Sequence, residues 1–214
     1  MPGGVRGRAA SAHRSRWSTI ERELRQQGGS LIAGLDEVGR GSLAGPVVAC
    51  AVVMPPERRA LRGVDDSKRL ARPERERLAR LIRQRALALS IGAASAGEVD
   101  RLNVYHATVL AMRRALARLG LAPDHLLVDG LPLRTLGTSH IAVVQGDDRC
   151  FAIACASIVA KVTRDRLMAR LACRYPDYRW ERNCGYATAV HLAELARHGP
   201  TPHHRRSFIV KSLA

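Results

Sequence analysis

The sequence predicts a mixed α/β protein, a single sheet covered by helices. Three observations carry this. An apolar run from Leu31 ends in two adjacent acids, Asp36 and Glu37, and passes straight into a Gly39-Arg40-Gly41 turn. A strand buried on both faces reads in this way until it reaches the edge of the core. A second apolar, β-branched run, Pro46–Met54, follows after only a short connection, so the two read as a hairpin. Helical and strand-like stretches then alternate through the rest of the 214 residues, a length that suits one good core.

The elements follow in order. Residues 1–28 read as a basic, flexible N-terminal leader with six Arg against two Glu, in which Trp17–Gln27 has the pattern of a short helix. The remainder, 29–214, is expected to form one domain. The first strand covers 31–37 and the second 46–54, stopped by Pro55-Pro56. Val64–Lys68 is a polar loop. Pro73 opens a helix of about a dozen residues, since proline is favoured in the first helical turn. Ala86–Ala94 is a third strand. Ala96–Gly120 is mostly helix, with Leu102, Tyr105, Val109, Met112 and Leu116 at helical spacing and Gly120 as its stop. His125–Asp129 is a fourth strand, again ending in an acid before glycine, and His140–Val144 is a fifth. Cys150–Tyr175 is a long helix and Tyr186–His198 a shorter one, ended by Gly199-Pro200. There are no internal repeats.

The charge points to a polyanionic partner. Lys and Arg number 35 against 19 Asp and Glu, a net +16. Such an excess binds nucleic acid through counterion release, although an Arg-rich composition or a need for solubility gives the same number. Aromatics are only 4%, which argues against a stacking platform for single strands. The five cysteines, at 50, 150, 155, 173 and 184, form no CxxC pair, so free thiols in a reducing, cytoplasmic compartment are expected. No segment reaches the roughly 18–20 apolar residues that span a bilayer.

Four acids are candidates for chemistry: Asp36 and Glu37 at one strand end, Asp129 at another, and Asp165 on the long helix. Carboxylates at the edge of a core are costly unless a cation or proton compensates. Acids at neighbouring strand ends can converge on the hard-oxygen site that metal-assisted phosphodiester hydrolysis needs. Asp36 and Asp129 can equally be turn caps. No HxxxH, HExxH or Cys/His pattern occurs, so zinc is not expected. GRGSLAG is no nucleophile elbow, and no Walker loop is present.

Several motifs in order then resemble bacterial ribonuclease HII over nearly all of 30–212. They are AGLDEVGRGSLAGPVV (33–48), DDSKRL (65–70), LNVYHAT (102–108), LLVDG (126–130), ASIVAKVTRD (156–165), GYAT (185–188) and HHRRSF (203–208). The resemblance implies a ribonuclease H-like fold: a five-stranded mixed sheet flanked by helices, with a C-terminal helical extension. It implies an endonuclease that cuts the RNA strand of RNA–DNA hybrids and nicks 5′ to single ribonucleotides embedded in duplex DNA, a step of ribonucleotide excision repair. The ends would be 3′-hydroxyl and 5′-phosphate, and the cofactor Mn²⁺ or Mg²⁺, two ions with substrate bound. By motif position, Asp36, Glu37 and Asp129 are the primary metal ligands and Asp165 completes the acidic set. Gly39, Arg40, Gly41 and Tyr186 would read the ribose 2′-hydroxyl and the junction to DNA, with Ser67, Lys68 and Lys161 as further substrate contacts. The partners implied are hybrid and ribonucleotide-containing duplexes, met by a monomer without a membrane.

Three positions depart from the family pattern. Cys184 stands where the family usually has Lys, so one cationic contact is lost unless Arg179 or Arg182 replaces it. Asp148 stands where Ser is common and reads as a solvated loop residue. Cys150 and Cys155 occupy a stretch of small residues and act as small buried groups. Two rival functions remain open on the sequence: a non-catalytic basic binder, and a DNA exonuclease or resolvase of the same superfold. Tyr186 alone also fits a half-buried core residue.

Overall fold

The computed structural model describes residues 18–212. The elements are α1 (Thr19–Gln26), β1 (Ile32–Val38), β2 (Val47–Val53), α2 (Arg72–Arg85), β3 (Ala88–Ala94), α3 (Ala96–Ala117), β4 (His125–Asp129) and β5 (Ile141–Val143). They continue with α4 (Gly146–Arg149), α5 (Phe151–Arg174), a 3₁₀ turn at Pro176–Tyr178, α6 (Trp180–Asn183), α7 (Ala189–His198) and α8 (Arg206–Ser212). The five strands lie in the order β3-β2-β1-β4-β5. The expected hairpin is present, β1 antiparallel to β2, and β2 antiparallel to β3. β4 and β5 add in parallel. This is the expected five-stranded mixed sheet.

Strand parity sorts the core. Ala33 and Leu35 of β1 face the α3 side with Val47, Ala49, Ala51 and Val53 of β2. Cys50 and Val52 face the other side, against Leu78 and Ile82 of α2 and Phe151, Ile158 and Val159 of α5. Gly34 shares the α5 side, and a Cβ there would lie 2.2 Å from the Ala152 backbone. Glycine at 34 therefore lets α5 lie directly on β1. The small residues in the first half of α5 serve the same close approach. Asp36 has the parity of Gly34, so it too faces α5. The parallel register pairs Leu35 with Val128, which sets Asp36 beside Asp129 at two adjoining strand ends. A crevice outside the carboxyl ends of strands is where α/β sheets usually bind ligands.

The structure redraws several boundaries. Residues 19–26 do not belong to a flexible leader. Ser18 and Glu21 form a capping box, and Glu21 is fully buried. Its carboxylate accepts from the backbone N–H of Ala152 (2.8 Å) and Phe151 (3.2 Å), capping the N-terminus of α5 from another helix. The rest of the expected leader, 1–17, lies outside the described residues. Glu21→Ala should cost about 1–3 kcal/mol, because it strands buried donors of α5. Chemical denaturation checks this, and an unchanged midpoint would mean water replaces the carboxylate without cost.

α3 is not continuous. Asn103 has φ 65° and ψ 166°, and its side chain re-caps the helix by accepting from His106 N–H at 3.1 Å. Periodicity of apolar residues does not register such a break. The helix expected from Tyr186 starts only at Ala189, with Thr188 as its cap. Gly185, at φ 80°, turns the chain first, so Tyr186 stands in the turn. Short helices α4 and α6 were not predicted, since four residues carry no periodicity. None of the described helices is long and apolar enough to cross a membrane.

Candidate active site

Asp36, Glu37, Gly39, Arg40, Gly41, Ser67, Lys68, Asp129, Lys161 and Tyr186 line one pocket of about 430 Å³, together with Val38 and Ser157. Ten of the eleven predicted site residues thus meet there. The eleventh, Asp165, is buried one helical turn from Lys161, whose Nζ donates to its Oδ1 at 2.7 Å. Ser157, Lys161 and Asp165 follow at i, i+4 and i+8 on α5 and so share a face.

The acids differ in surroundings. Asp36 is 4% exposed and accepts from Glu37 N–H at 2.7 Å. Burial pushes its carboxyl well above the ordinary aspartate range, and the charges of Glu37 and Asp129 push it further. A hydrogen bond from Ser157 acts the other way. Burial also raises Glu37, opposed by Arg40, whose Nη1 donates to it at 3.2 Å. Asp129 Oδ1 accepts from Gly146 N–H at 2.7 Å, so α4 fixes its orientation.

The linkage has a definite sign. Asp36 binds its proton more tightly folded than unfolded. Its contribution to stability is present below the ordinary aspartate range and is lost as pH rises towards its raised folded value. In chelator, Asp36→Asn should therefore raise the melting temperature at pH 7 and lose that advantage as pH falls into the ordinary aspartate range. An equal gain at both ends of that range would mean that charge at Asp36 is not what costs stability.

The donor set suits a hard cation. Every candidate ligand is a carboxylate oxygen, three of them repel one another, and no soft ligand lines the pocket with Asp36, Glu37 and Asp129. Among the described residues, no three His, Cys, Asp or Glu side chains stand close enough together to hold a metal ion by themselves. An open set is what Mg²⁺-type sites present, since water and phosphate oxygens complete them.

Basic groups surround the acids in an ordered way. Lys68 Nζ lies 3.3 Å from Asp147, and Arg69 lies 3.0 Å from Asp148. These two pairs tie the 65–69 loop to α4. Asp148 is therefore a partner of Arg69, and it does not line the pocket. Ser67 is buried, and its hydroxyl is 3.0 Å from that of Ser157, the residue that bonds Asp36. Cys184 lies against Asp165 and Lys161, and burial raises its thiol. Arg179 and Arg182 line another pocket, with Asn183, Thr188 and Val190. Lys161 is the cation beside Cys184.

Sequence reading missed what holds the site. Arg164 is fully buried. It donates to the carbonyls of Ala44 (2.9 Å), Pro46 (2.9 Å) and Cys184 (2.8 Å) and to Ser42 Oγ (2.6 Å). Its guanidinium lies 5.5 Å from the centre of the Tyr186 ring. Gly39, at φ 91°, is required here, because a Cβ would fall 2.1 Å from Arg164 Nε. Little in the sequence signals this, since Arg164 stands between Thr163 and Asp165, close to Arg166, and reads like any arginine of an exposed helix face. Arg205, His191 and His204 were also missed; the HHRRSF motif was noted without a role.

Comparison with known proteins adds the family. The family model described as ribonuclease HII matches residues 33–211. A ribonuclease HII of Granulibacter bethesdensis is 52% identical over 207 residues, covering 94% of each chain. One of Bacillus licheniformis is 45% identical over 201 residues, covering 92% of this chain and 78% of that one. Among solved structures, the ribonuclease HII of Archaeoglobus fulgidus in complex with PCNA superposes with TM-score 0.67 at 25% identity, covering 82% of this chain and 94% of that one. Bst-RNase HIII in complex with Mn²⁺ superposes with TM-score 0.71 at 18% identity, covering 98% and 77%.

Proposed function

The chain belongs to the ribonuclease HII family, metal-dependent endonucleases of the ribonuclease H type, and from that premise we propose that it also nicks duplex DNA 5′ to a single embedded ribonucleotide, leaving 3′-hydroxyl and 5′-phosphate ends. One observation carries the reading. Carboxylates from adjoining strand ends share a pocket with the Gly39-Arg40-Gly41 turn and Tyr186.

The residues divide by role. Asp36, Glu37 and Asp129 would hold Mn²⁺ or Mg²⁺, two ions with substrate bound, and Asp165 would complete the set. When bound, such ions activate water and neutralise charge on the scissile phosphate. Arg40, Lys68 and Lys161 supply cations for phosphate oxygens around the cut. Ser67 supports Asp36 through Ser157. The Gly39–Gly41 turn and Tyr186 read the sugar, whose 2′-hydroxyl tells RNA from DNA locally. A monomer suffices, since all these groups come from one chain.

The test is a set of three duplexes: one embedded ribonucleotide, a continuous hybrid and all DNA, each with Mg²⁺, Mn²⁺ or chelator. Cleavage of the first two only with metal, mapped 5′ to the lone ribonucleotide, is expected. Cleavage of all-DNA duplex would point to a DNA nuclease, and binding without cleavage to a pure binder.

Tyr186 gives the selectivity test. Its ring is half-buried, and its hydroxyl makes no hydrogen bond among the described residues. A site that bonds a substrate hydroxyl discriminates strongly against the analogue lacking it. Tyr186→Phe should lower cleavage at the single ribonucleotide more than cleavage of the continuous hybrid, with little change in melting temperature. Equal losses on both substrates would return Tyr186 to a packing role.

A further inference from the structure

The two sugar-reading parts, the Gly39–Gly41 turn and Tyr186, belong to segments far apart in the chain. One short stretch, 203–205, holds both. It pairs with the loop after the turn: Ala44 and His204 form an antiparallel bridge, Gly45 N–H donates to His203 O at 2.8 Å, and Arg205 N–H donates to Leu43 O at 2.8 Å. In extended backbone, neighbouring side chains point to opposite sides. His204 goes to the Tyr186 side and Arg205 to the turn side.

Arg205 is fully buried. Its Nη2 donates to Gly39 O at 2.6 Å and Gly45 O at 2.8 Å, its Nη1 to Arg40 O at 2.7 Å, and its Nε to Gly45 O at 3.1 Å. The planar fork spreads its fixed N–H donors over three separate carbonyls. A trans peptide directs its C=O and N–H to opposite sides. With the carbonyls of Gly39 and Arg40 held on the guanidinium, the N–H groups of Arg40 and Gly41 point away from it. Neither N–H has an acceptor among the described residues. The turn therefore presents two aimed, unused donors.

On the other side the hydrogen bonds fix each proton. Trp180 Nε1 can only donate, and it meets His191 Nε2 at 3.1 Å. His191 Nε2 therefore accepts, and its proton is on Nδ1, which donates to Tyr186 O at 2.9 Å. His204 Nδ1 accepts from Thr201 N–H at 3.0 Å, so its Nε2 carries the proton and, 3.0 Å from His191 Nε2, shares that nitrogen's single lone pair with Trp180. Both rings are buried and neutral; burial lowers both pKa values, that of His204 to about 4.

We propose that His204 and Arg205 are positioning residues for ribose selectivity: Arg205 aims the turn at the 2′-hydroxyl, and His204, through His191, holds Tyr186 at the junction with DNA. The proposal rests on the functional reading above. It assigns separate effects to adjacent residues. Loss of Arg205 harms every ribonucleotide substrate, and loss of His204 harms the lone ribonucleotide selectively.

The test uses the full chain and the duplexes with one ribonucleotide and with a continuous hybrid. Wild-type cleavage of both is the control; without it the functional reading fails, whatever the variants do. For Arg205→Lys, kcat on both substrates should fall about 100-fold with KM nearly unchanged, as for a small misplacement remote from the chemistry. For His204→Leu, the ratio of single-ribonucleotide to hybrid cleavage should fall about tenfold, as when one substrate contact is lost. His204→Gln, which restores a donor, should recover part of that ratio. A ratio taken on one sample does not depend on the fraction folded, so partial unfolding does not obscure it. In a Tyr186→Ala background, His204→Leu should leave the ratio unchanged. An unaltered ratio in His204→Leu, a full further drop in the Tyr186→Ala background, or an Arg205→Lys effect confined to KM would overturn the proposal.

Discussion

Asp129→Asn should lower turnover by orders of magnitude while leaving the fold intact. Asn keeps the size of the side chain and an oxygen that can accept from Gly146 N–H, the 2.7 Å bond that orients residue 129. It removes the charge that, with Glu37, raises the Asp36 carboxyl. Repulsion at the strand ends therefore falls, and the melting temperature in chelator should rise slightly or stay unchanged. Cation binding should weaken, because a neutral oxygen is the poorer ligand for a hard ion. Duplex binding should be kept or improved, since one negative charge facing phosphate has gone. Steady-state cleavage over a Mg²⁺ and Mn²⁺ titration, with calorimetry of metal binding, checks this. Near-normal kcat at saturating metal would show that Asp129 only caps a turn.

Much of this site was legible in the sequence, and for physical reasons. Asp36 and Asp129 each end a short apolar run, and a strand end is a fixed place in an α/β sheet. Their convergence needed only β1 and β4 to be parallel neighbours, which the register of Leu35 with Val128 provides. The five strands were readable because each is a bounded apolar run. The break at Asn103 was not, because a single residue of unusual backbone leaves the apolar spacing untouched. Docking of α1 was not either, since a buried Glu21 looks in sequence like any surface acid. The supporting arginines escaped for a related reason. Composition counts Arg164 and Arg205 towards a basic surface, whereas both are buried and spend their donors on backbone carbonyls. Four acids, Glu21, Asp36, Asp147 and Asp165, are buried as well, so withdrawing these two guanidiniums does not reduce the basic excess left at the surface.

Arg164→Met should cost both stability and cleavage, the cleavage more. The guanidinium binds four acceptors from three places: Ser42 and Ala44 after the turn, Pro46 before β2, and Cys184 before Tyr186. Met fills much of the same volume, so the expected loss comes from unpaired acceptors and not from a cavity. A buried charge is also removed, which offsets part of the loss; burial already lowers the Arg164 pKa. The net cost should be on the order of 3 kcal/mol, read as a fall of about 6–12 °C in melting temperature for a chain of this length. Cleavage measured well below the new midpoint, where the chain is folded, should still be strongly reduced. The reason is local: Gly39 has no Cβ so that Arg164 can pack against it, and the Tyr186 ring lies over the same guanidinium. Arg164→Lys keeps the charge but has a compact ammonium, whose three N–H groups diverge from one atom, in place of a fork, so it should recover some stability and little cleavage. Denaturant curves with unchanged slope, paired with kcat on the folded protein, separate the two effects. If activity per folded molecule were normal in Arg164→Met, the turn and Tyr186 would be held without Arg164, and its role would be stability alone.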